Sequence, residues 1–172
     1  MIDQYISGVN YGWSDSVRVH KTALICGQTV RVGAHSRIDA YTVITGKVDI
    51  GERCHIGHCV SIHGTHGVTI RNGSTLSPGV HVFTMTDDIN SPLLASPQAI
   101  ERGGKTGPVY IGSCVVVGAN SIVLPGTDIM DEANIASNSL VRGTVPMRTV
   151  WGGNPAKKLK ARHPVDRAKA TG

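Results

Sequence analysis

The sequence predicts an all-β protein wound as a solenoid of short parallel strands, and three observations predict it. Apolar residues recur at every sixth position: Cys26, Val32, Ile38, Ile44, Ile50, Ile56 and Ile62, then Ile70, Leu76 and Val82, then Ile111, Val117, Val123, Ile129, Ile135 and Val141. Small or β-branched residues recur four positions after these leads, as at Val30, Ser36, Thr42, Val48, Cys54, Val60, Ser74 and Val80. Glycine follows the lead directly at Gly27, Gly33, Gly51, Gly57, Gly112 and Gly118, where a corner needs a residue without Cβ.

A period of six matches neither an α-helix nor plain strand alternation. It matches a coil in which each hexad is one short strand plus a corner and three hexads close a triangle with the leads pointing inward. Successive coils then pair as parallel strands about 4.8 Å apart. Sixteen leads imply roughly five coils and a prism about 25 Å tall.

Composition agrees. Aromatic residues make up 4% of the chain, with a single Phe, while glycine numbers 21, so small and β-branched side chains must do the packing. One domain is expected over residues 1–172, with an N-terminal cap at 1–25, coils over 26–145 carrying an external loop at 85–108, and a closing segment at 146–172. The net charge of +5 is concentrated near the end, in AKKLKARHPVDRAK, which suits an anionic ligand. Those basic residues are not interleaved with aromatics, so nucleic acid is not expected as a partner. No apolar run approaches the eighteen or more residues of a membrane span, and MIDQYISGVNYG lacks a basic-then-apolar signal, so a cytoplasmic location is expected. The four cysteines show no CxxC pairing and are expected as thiols.

The six-residue beat, the stretch GPVYIGSCVVVGANSIVLPGTDI and the segment WGGNPAKKLKAR together resemble the hexapeptide-repeat acyltransferases. The likeness covers about residues 17 to 162. It implies a left-handed parallel β-helix, a homotrimer with active sites between neighbouring prisms, and acyl transfer from acetyl-CoA to a sugar. By the same resemblance, Ala119 and Ser137 border the pantetheine arm of CoA, and Arg142, Lys157 and Lys160 run towards its phosphates. Cations are the usual partners of phosphate.

The beat is interrupted twice. It slips by two residues in IHGTHGVTI, between Ile62 and Ile70, and breaks fully between Val82 and Ile111. With three hexads per coil, Val82 lies one coil above Ile62, so both interruptions leave the prism at one corner. His63 or His66 is thereby expected within reach of Asp87 and Asp88. The excursion from Met85 to Pro108 is expected to shape the acceptor site, since long loops in compact domains are usually functional or disordered.

In the sugar O-acetyltransferases of this family a histidine at the start of the long loop takes the proton of the acceptor hydroxyl. The matching position in SPGVHVFTMTDD is Asp87. An ordinary carboxylate is a weak base for an alcohol, whereas an amine acceptor asks less, and Asp87 or Asp88 would hold its ammonium on arrival. The resemblance thus points to a nucleotide-linked amino sugar for surface polysaccharide. The alternative is a hydroxyl acceptor with His66 as base and Asp87 orienting its ring.

Two further readings stay open. His58 and His63, with four residues between them, resemble a fragment of the γ-class carbonic anhydrases, which bind zinc through three histidines; the earlier histidine is missing, Ala40 standing there. The run CHIGHC is not expected to form a zinc site, because the register turns Cys54 inward, and no metal is expected. A non-enzymatic prism would predict no CoA affinity and a dispensable loop.

Overall fold

The computed structural model describes residues 5–87 and 104–163. Three stacks of parallel strands form the faces of a prism. The first face runs Arg18–His20, Arg37–Ile38, His55–Ile56, Thr75–Leu76, Val116–Val117, Asn134–Ile135 and Thr149–Gly152, each paired in register with the next. The second and third faces share the long strands Leu24–Val32, Val43–Ile50 and Ser61–Ile70, which run through the corner between them. Above these the second face continues as His81–Phe83, Ile122–Val123 and Leu140–Val141, and the third as Val109–Ile111, Asp128–Ile129 and Thr144–Val145.

There are about six turns, led on the first face by Val19, Ile38, Ile56, Leu76, Val117 and Ile135. The estimate of five fell short because the ladder starts at Arg18, inside the stretch expected as a cap. Cys26 is exposed, and Ile25 is the lead instead, aligned with Ile44. The first coil spans Ile25 to Val32 with one extra residue, so counting back by six from Val32 lands on the wrong side chain.

The period follows from where side chains point. A lead and the residue two before it face inward with one outward residue between them, and the next three residues make the corner. The leads Ile38, Ile44, Ile56, Ile62, Leu76 and Ile111 have no exposed area, and each buried aliphatic side chain contributes about 1.5–3 kcal/mol. Hydroxyls at the inward pre-lead position satisfy backbone groups of the corner. Ser36 Oγ donates to the Gly51 carbonyl at 2.8 Å and accepts the Cys54 N–H at 2.9 Å, and Ser74 repeats this with Gly112 and Val115.

Glycine after the lead has a different cause from the one expected. The left-handed residue of the corner is the third after the lead, and it is commonly not glycine: His35, Tyr41, Arg53, Cys59, Asn120 and Asn138 all have φ near +55° to +60°. The glycines are instead required by the coil above. A Cβ on Gly33 would stand 2.6 Å from the Gly51 carbonyl carbon, and one on Gly118 2.5 Å from the Ser137 nitrogen.

Both ends of the prism are covered. Tyr5–Ser7 pairs antiparallel with Arg18–His20, and Trp13 Nε1 donates to the Val30 carbonyl at 3.1 Å. At the other end Lys157–Ala161 folds back antiparallel on Thr149–Gly152. Arg162 Nη1 holds that return strand by donating to the carbonyls of Cys114, Ala133 and Glu132 at 2.9, 3.0 and 3.1 Å.

Candidate active site

The corner between the second and third faces carries both interruptions. Gly46 and Gly64 stack there in register, because a Cβ on Gly64 would come within 2.7 Å of the Lys47 carbonyl oxygen. Beyond Gly64 the chain swells outward through His66, and one coil higher the long excursion leaves at Thr84. The two are tied together. Thr84, fully buried, donates its hydroxyl to the His63 carbonyl at 2.7 Å and accepts the His66 N–H at 3.1 Å. Its own N–H reaches the same His63 carbonyl at 3.2 Å.

The excursion departs and returns as a narrow antiparallel neck. Met85 bridges to Thr106, Thr86 N–H donates to the Lys105 carbonyl at 3.0 Å, and Lys105 N–H donates to Thr86 Oγ1 at 3.1 Å. Any Cβ on Gly104 would run into the Thr86 carbonyl. Asp87 stands exposed at the outer end of this neck, and His66 is exposed on the coil below. The coil arithmetic therefore brings their backbones to one corner, and Met85, on the same neck, is half-buried. Asp88, the fourth residue expected there, lies outside the described residues.

His63 is engaged differently from the expectation. Its ring stacks flat on Phe83, with centroids 5.2 Å apart and planes 1° apart, and His81 adds a further ring 6.2 Å from Phe83. Ser61 Oγ and His81 Nδ1 share a hydrogen bond of 2.5 Å. Thr84, Ser61, His81 and Phe83 were not singled out from the sequence; they flank the leads Ile62 and Val82, where the six-residue beat carries no constraint.

This second face is unusual in what it shows outward. Leu24, Val43, Phe83, Ile122, Leu124 and Leu140 project from it beside the two histidines, with Leu24 55% exposed. The outward positions of the third face hold Arg31, Asp49, Thr69, Tyr110 and Asp128. A row of apolar side chains along one face of a prism marks a contact surface.

The residues expected at CoA divide into two places. Ala119 and Ser137 lie one above the other at the corner between the first and second faces, where Asn138 N–H donates to the Ala119 carbonyl at 2.8 Å. Arg142 is exposed just after the lead Val141, at the other edge of the second face on the last coil, and Lys157 sits opposite Gly152 as the chain turns back. Lys160, opposite Val150, instead lines a separate hollow of about 610 Å³ on the first face with Asn134, Arg162 and His163.

Within the run CHIGHC, Cys54 is buried while His58 and Cys59 are exposed at the next corner. Burial pushes the Cys54 thiol above its ordinary value, against hydrogen bonds from the backbone of Ser74, Gly73 and Gly51, and its Sγ donates to the Arg71 carbonyl at 3.2 Å. Among the described residues no three His, Cys, Asp or Glu side chains gather as a metal-binding set.

The family described as bacterial transferase hexapeptide (six repeats) matches residues 29–64, and the hexapeptide repeat of succinyl-transferase matches residues 47–83 and 108–142. The chain is 29% identical over 154 residues to a dTDP-4-amino-4,6-dideoxy-D-glucose acyltransferase of Escherichia coli, covering 86% of this chain and 80% of that one. It is 30% identical over 141 residues to WbbJ of Escherichia coli strain K12, named as a lipopolysaccharide biosynthesis O-acetyl transferase, covering 78% and 69%. Among solved structures, AntD, an N-acyltransferase from Bacillus cereus in complex with dTDP and 3-hydroxybutyryl-CoA, superposes with a TM-score of 0.85 at 25% identity, covering 94% of this chain and 92% of that one. The fold is the left-handed β-helix.

Proposed function

The chain belongs to the hexapeptide-repeat acyltransferases, and from that premise we propose that it transfers an acetyl group from acetyl-CoA to the amine of a nucleotide-linked amino sugar. The observation that carries this reading is Asp87. A carboxylate stands on the neck of the excursion, at the corner it shares with His66, in the place where the family's sugar O-acetyltransferases present a histidine. The likeness to AntD and to the Escherichia coli amino-sugar acyltransferase supports the same acceptor class.

The chemistry follows from that placement. Asp87 receives the sugar ammonium as an ion pair and holds its nitrogen at the corner; loss of one proton to water frees the lone pair. The nitrogen attacks the thioester carbonyl, and the tetrahedral oxyanion needs positioned N–H donors. The C–S bond then breaks, the thiolate of CoA takes up a proton, and the amide nitrogen loses one. Ala119, Ser137, Arg142 and Lys157 border the donor along the late coils, and Lys160, over the separate hollow on the first face, contributes little to holding it. Met85, His63 and Asp88 shape the acceptor pocket.

The apolar second face supports assembly as a homotrimer, because burying it against copies of itself removes Leu24, Phe83 and Leu124 from water. No helix among the described residues is long and apolar enough to cross a membrane. The likeness to WbbJ supports a cytoplasmic role in making sugars for surface polysaccharide.

A hydroxyl acceptor is the second reading, favoured by the likeness to WbbJ; His66 would then be the base. The test is thiol release from acetyl-CoA against dTDP-linked amino sugars and the matching unaminated sugars, with mass spectrometry of the product. Asp87→Asn is expected to raise KM for the amino sugar and lower kcat, with His66→Ala mild. Product on hydroxyls only, abolished by His66→Ala, would replace the first reading with the second.

A further inference from the structure

The last turn of the prism and its return strand have a charge pattern that acyl transfer does not account for. Residues 133–163 contain Arg142, Arg148, Lys157, Lys158, Lys160 and Arg162 but no Asp or Glu. A surface that serves only solubility mixes both signs. Two of these cations are engaged within the fold: Arg148 Nε lies 3.0 Å from Glu132 Oε2, and Arg162 donates to three backbone carbonyls. Among the described residues the other four are exposed, and no carboxylate pairs with them. The acids that precede this stretch are occupied. Asp131 Oδ1 accepts the Ser113 N–H at 2.7 Å, and Glu132 is buried against Arg148.

The strand Lys157–Ala161 gathers the uncountered charge. It ends the sheet of the first face, pairing with Thr149–Gly152, and all five of its residues are exposed. Lysine on an edge strand guards against unwanted pairing, yet either sign of charge would do that, and the guard gives no reason for apolar side chains among the lysines. Leu159 is 61% exposed between Lys158 and Lys160, and Met147 is 53% exposed on the corner before Thr149. Arg162 N–H donates to the Arg148 carbonyl at 2.8 Å, so the strand finishes beside that corner. Lysines around isolated apolar side chains match a bilayer of anionic lipid: the ammonium groups meet phosphate, and the aliphatic side chains enter the headgroup layer.

We infer that this end of the prism, with Lys158, Leu159, Lys160 and Met147 at its centre, docks on a membrane surface rich in anionic phospholipid. The inference is independent of the acceptor reading, and it leaves Lys157 and the Ala119–Ser137 edge to the donor. The protein lies on the bilayer, held by charge and by two shallow apolar contacts. Each lysine close to an anionic surface contributes roughly fivefold in affinity, so one chain binds weakly and reversibly. Copies related by rotation present this end to the same side, and several weak contacts made together raise affinity steeply. The homotrimer proposed above would therefore dock where a single chain only visits.

Co-sedimentation of the full chain with vesicles of equal parts phosphatidylglycerol and phosphatidylcholine, and with vesicles of phosphatidylcholine alone, tests this. The protein is expected to pellet with the anionic vesicles at 50 mM salt, to be released at 500 mM as the field is screened, and to ignore the neutral ones. Lys158→Glu is expected to weaken binding about tenfold or more, since repulsion replaces attraction, and Leu159→Ser about three- to tenfold. Lys21→Glu makes the same charge change at the opposite end of the prism and should have little effect. Wild-type pelleting by both Lys158→Glu and Leu159→Ser would overturn the inference, as would equal binding to neutral vesicles or an equal loss from Lys21→Glu. Release from the vesicles by CoA would reassign these lysines to the donor and overturn it too. So would a short DNA duplex that binds as tightly at the same salt and is lost with Lys158→Glu, because the end would then take any polyanion. Salt-sensitive binding that needs Lys158 and Leu159 would uphold it, whichever acceptor the enzyme uses.

Discussion

Thr84 donates its hydroxyl to the carbonyl of His63 across one coil, and this single contact joins the root of the long excursion to the swollen turn beneath it. Thr84 Oγ1 in turn accepts the N–H of His66. Two irregular segments, each free to wander alone, are thereby held to one geometry at the corner where Asp87 emerges.

Replacing Thr84 with valine keeps the shape and removes both side-chain bonds; the His63 carbonyl retains the Thr84 N–H, whereas the His66 N–H loses its partner. That loss costs about 1–3 kcal/mol, which lowers the melting midpoint by roughly 2–10 °C for a chain of this size. The functional loss should exceed the stability loss, with kcat falling while CoA affinity holds, because the donor edge lies on a different corner. A scanning calorimetry trace together with steady-state kinetics reads both quantities, and an unchanged kcat would separate Thr84 from the site.

Two glycines of the same corner should respond oppositely to alanine. Gly46 has φ +82° and its Cβ would enter the backbone of Gly64, which the coil above cannot move aside. Gly67 has φ +98° but faces open space. Gly67→Ala should cost only the left-handed backbone penalty, about 1–2 kcal/mol, whereas Gly46→Ala should fail to give soluble folded protein. Equal expression and equal midpoints for the two would contradict the packing argument.

How much of this was legible in the sequence depends on whether a residue lies on the beat. Ile38, Ile44 and Ile56 are leads and their burial could be read from spacing alone. So could the meeting of the two interruptions, because Ile62 and Val82 differ by one coil plus the inserted residues. Cys26 was misread for the same reason that the rest succeeded: a seven-residue repeat from Ile25 to Val32 shifts the count. Thr84 and the Ser61–His81 pair were invisible, since the outward and corner positions are free of the packing constraint that makes a period. The stack of Arg18 on Arg37 spans residues far apart in sequence, and only the three-hexad closure puts them side by side.

Cys54 gives the structure a pH signature. Burial raises its thiol, so the folded state keeps the proton at a pH where the unfolded chain, whose thiol titrates near 8.5, has lost it. Its contribution is complete below the unfolded value and is lost as pH rises from there towards the folded one, by about 1.4 kcal/mol per pH unit within that window. Urea midpoints measured between pH 7.5 and 10 should fall more steeply for the wild type than for Cys54→Ala. Thiol labelling should modify the exposed Cys26 and Cys59 first and reach Cys54 only on unfolding. Parallel midpoint curves for the two proteins would remove Cys54 as the source.

Lys157 and Lys160 share a strand but face different surroundings, and CoA should tell them apart. Lys157 lies opposite Gly152, which packs beside Ala136 and Ser139 at the edge that carries Ser137, whereas Lys160 lies opposite Val150 over the hollow that holds Arg162 and His163. A donor running up the Ala119–Ser137 edge meets Lys157 first. Lys157→Ala should weaken CoA about five- to twentyfold, the scale of one charge-assisted phosphate contact, and the loss should shrink at high salt as screening removes the same interaction from the wild type. Lys160→Ala should change CoA affinity less than twofold if the ligand keeps to the first edge. Titrations at 50 mM and 500 mM salt decide it, and a larger loss from Lys160 than from Lys157 would move the phosphates of CoA to the first face.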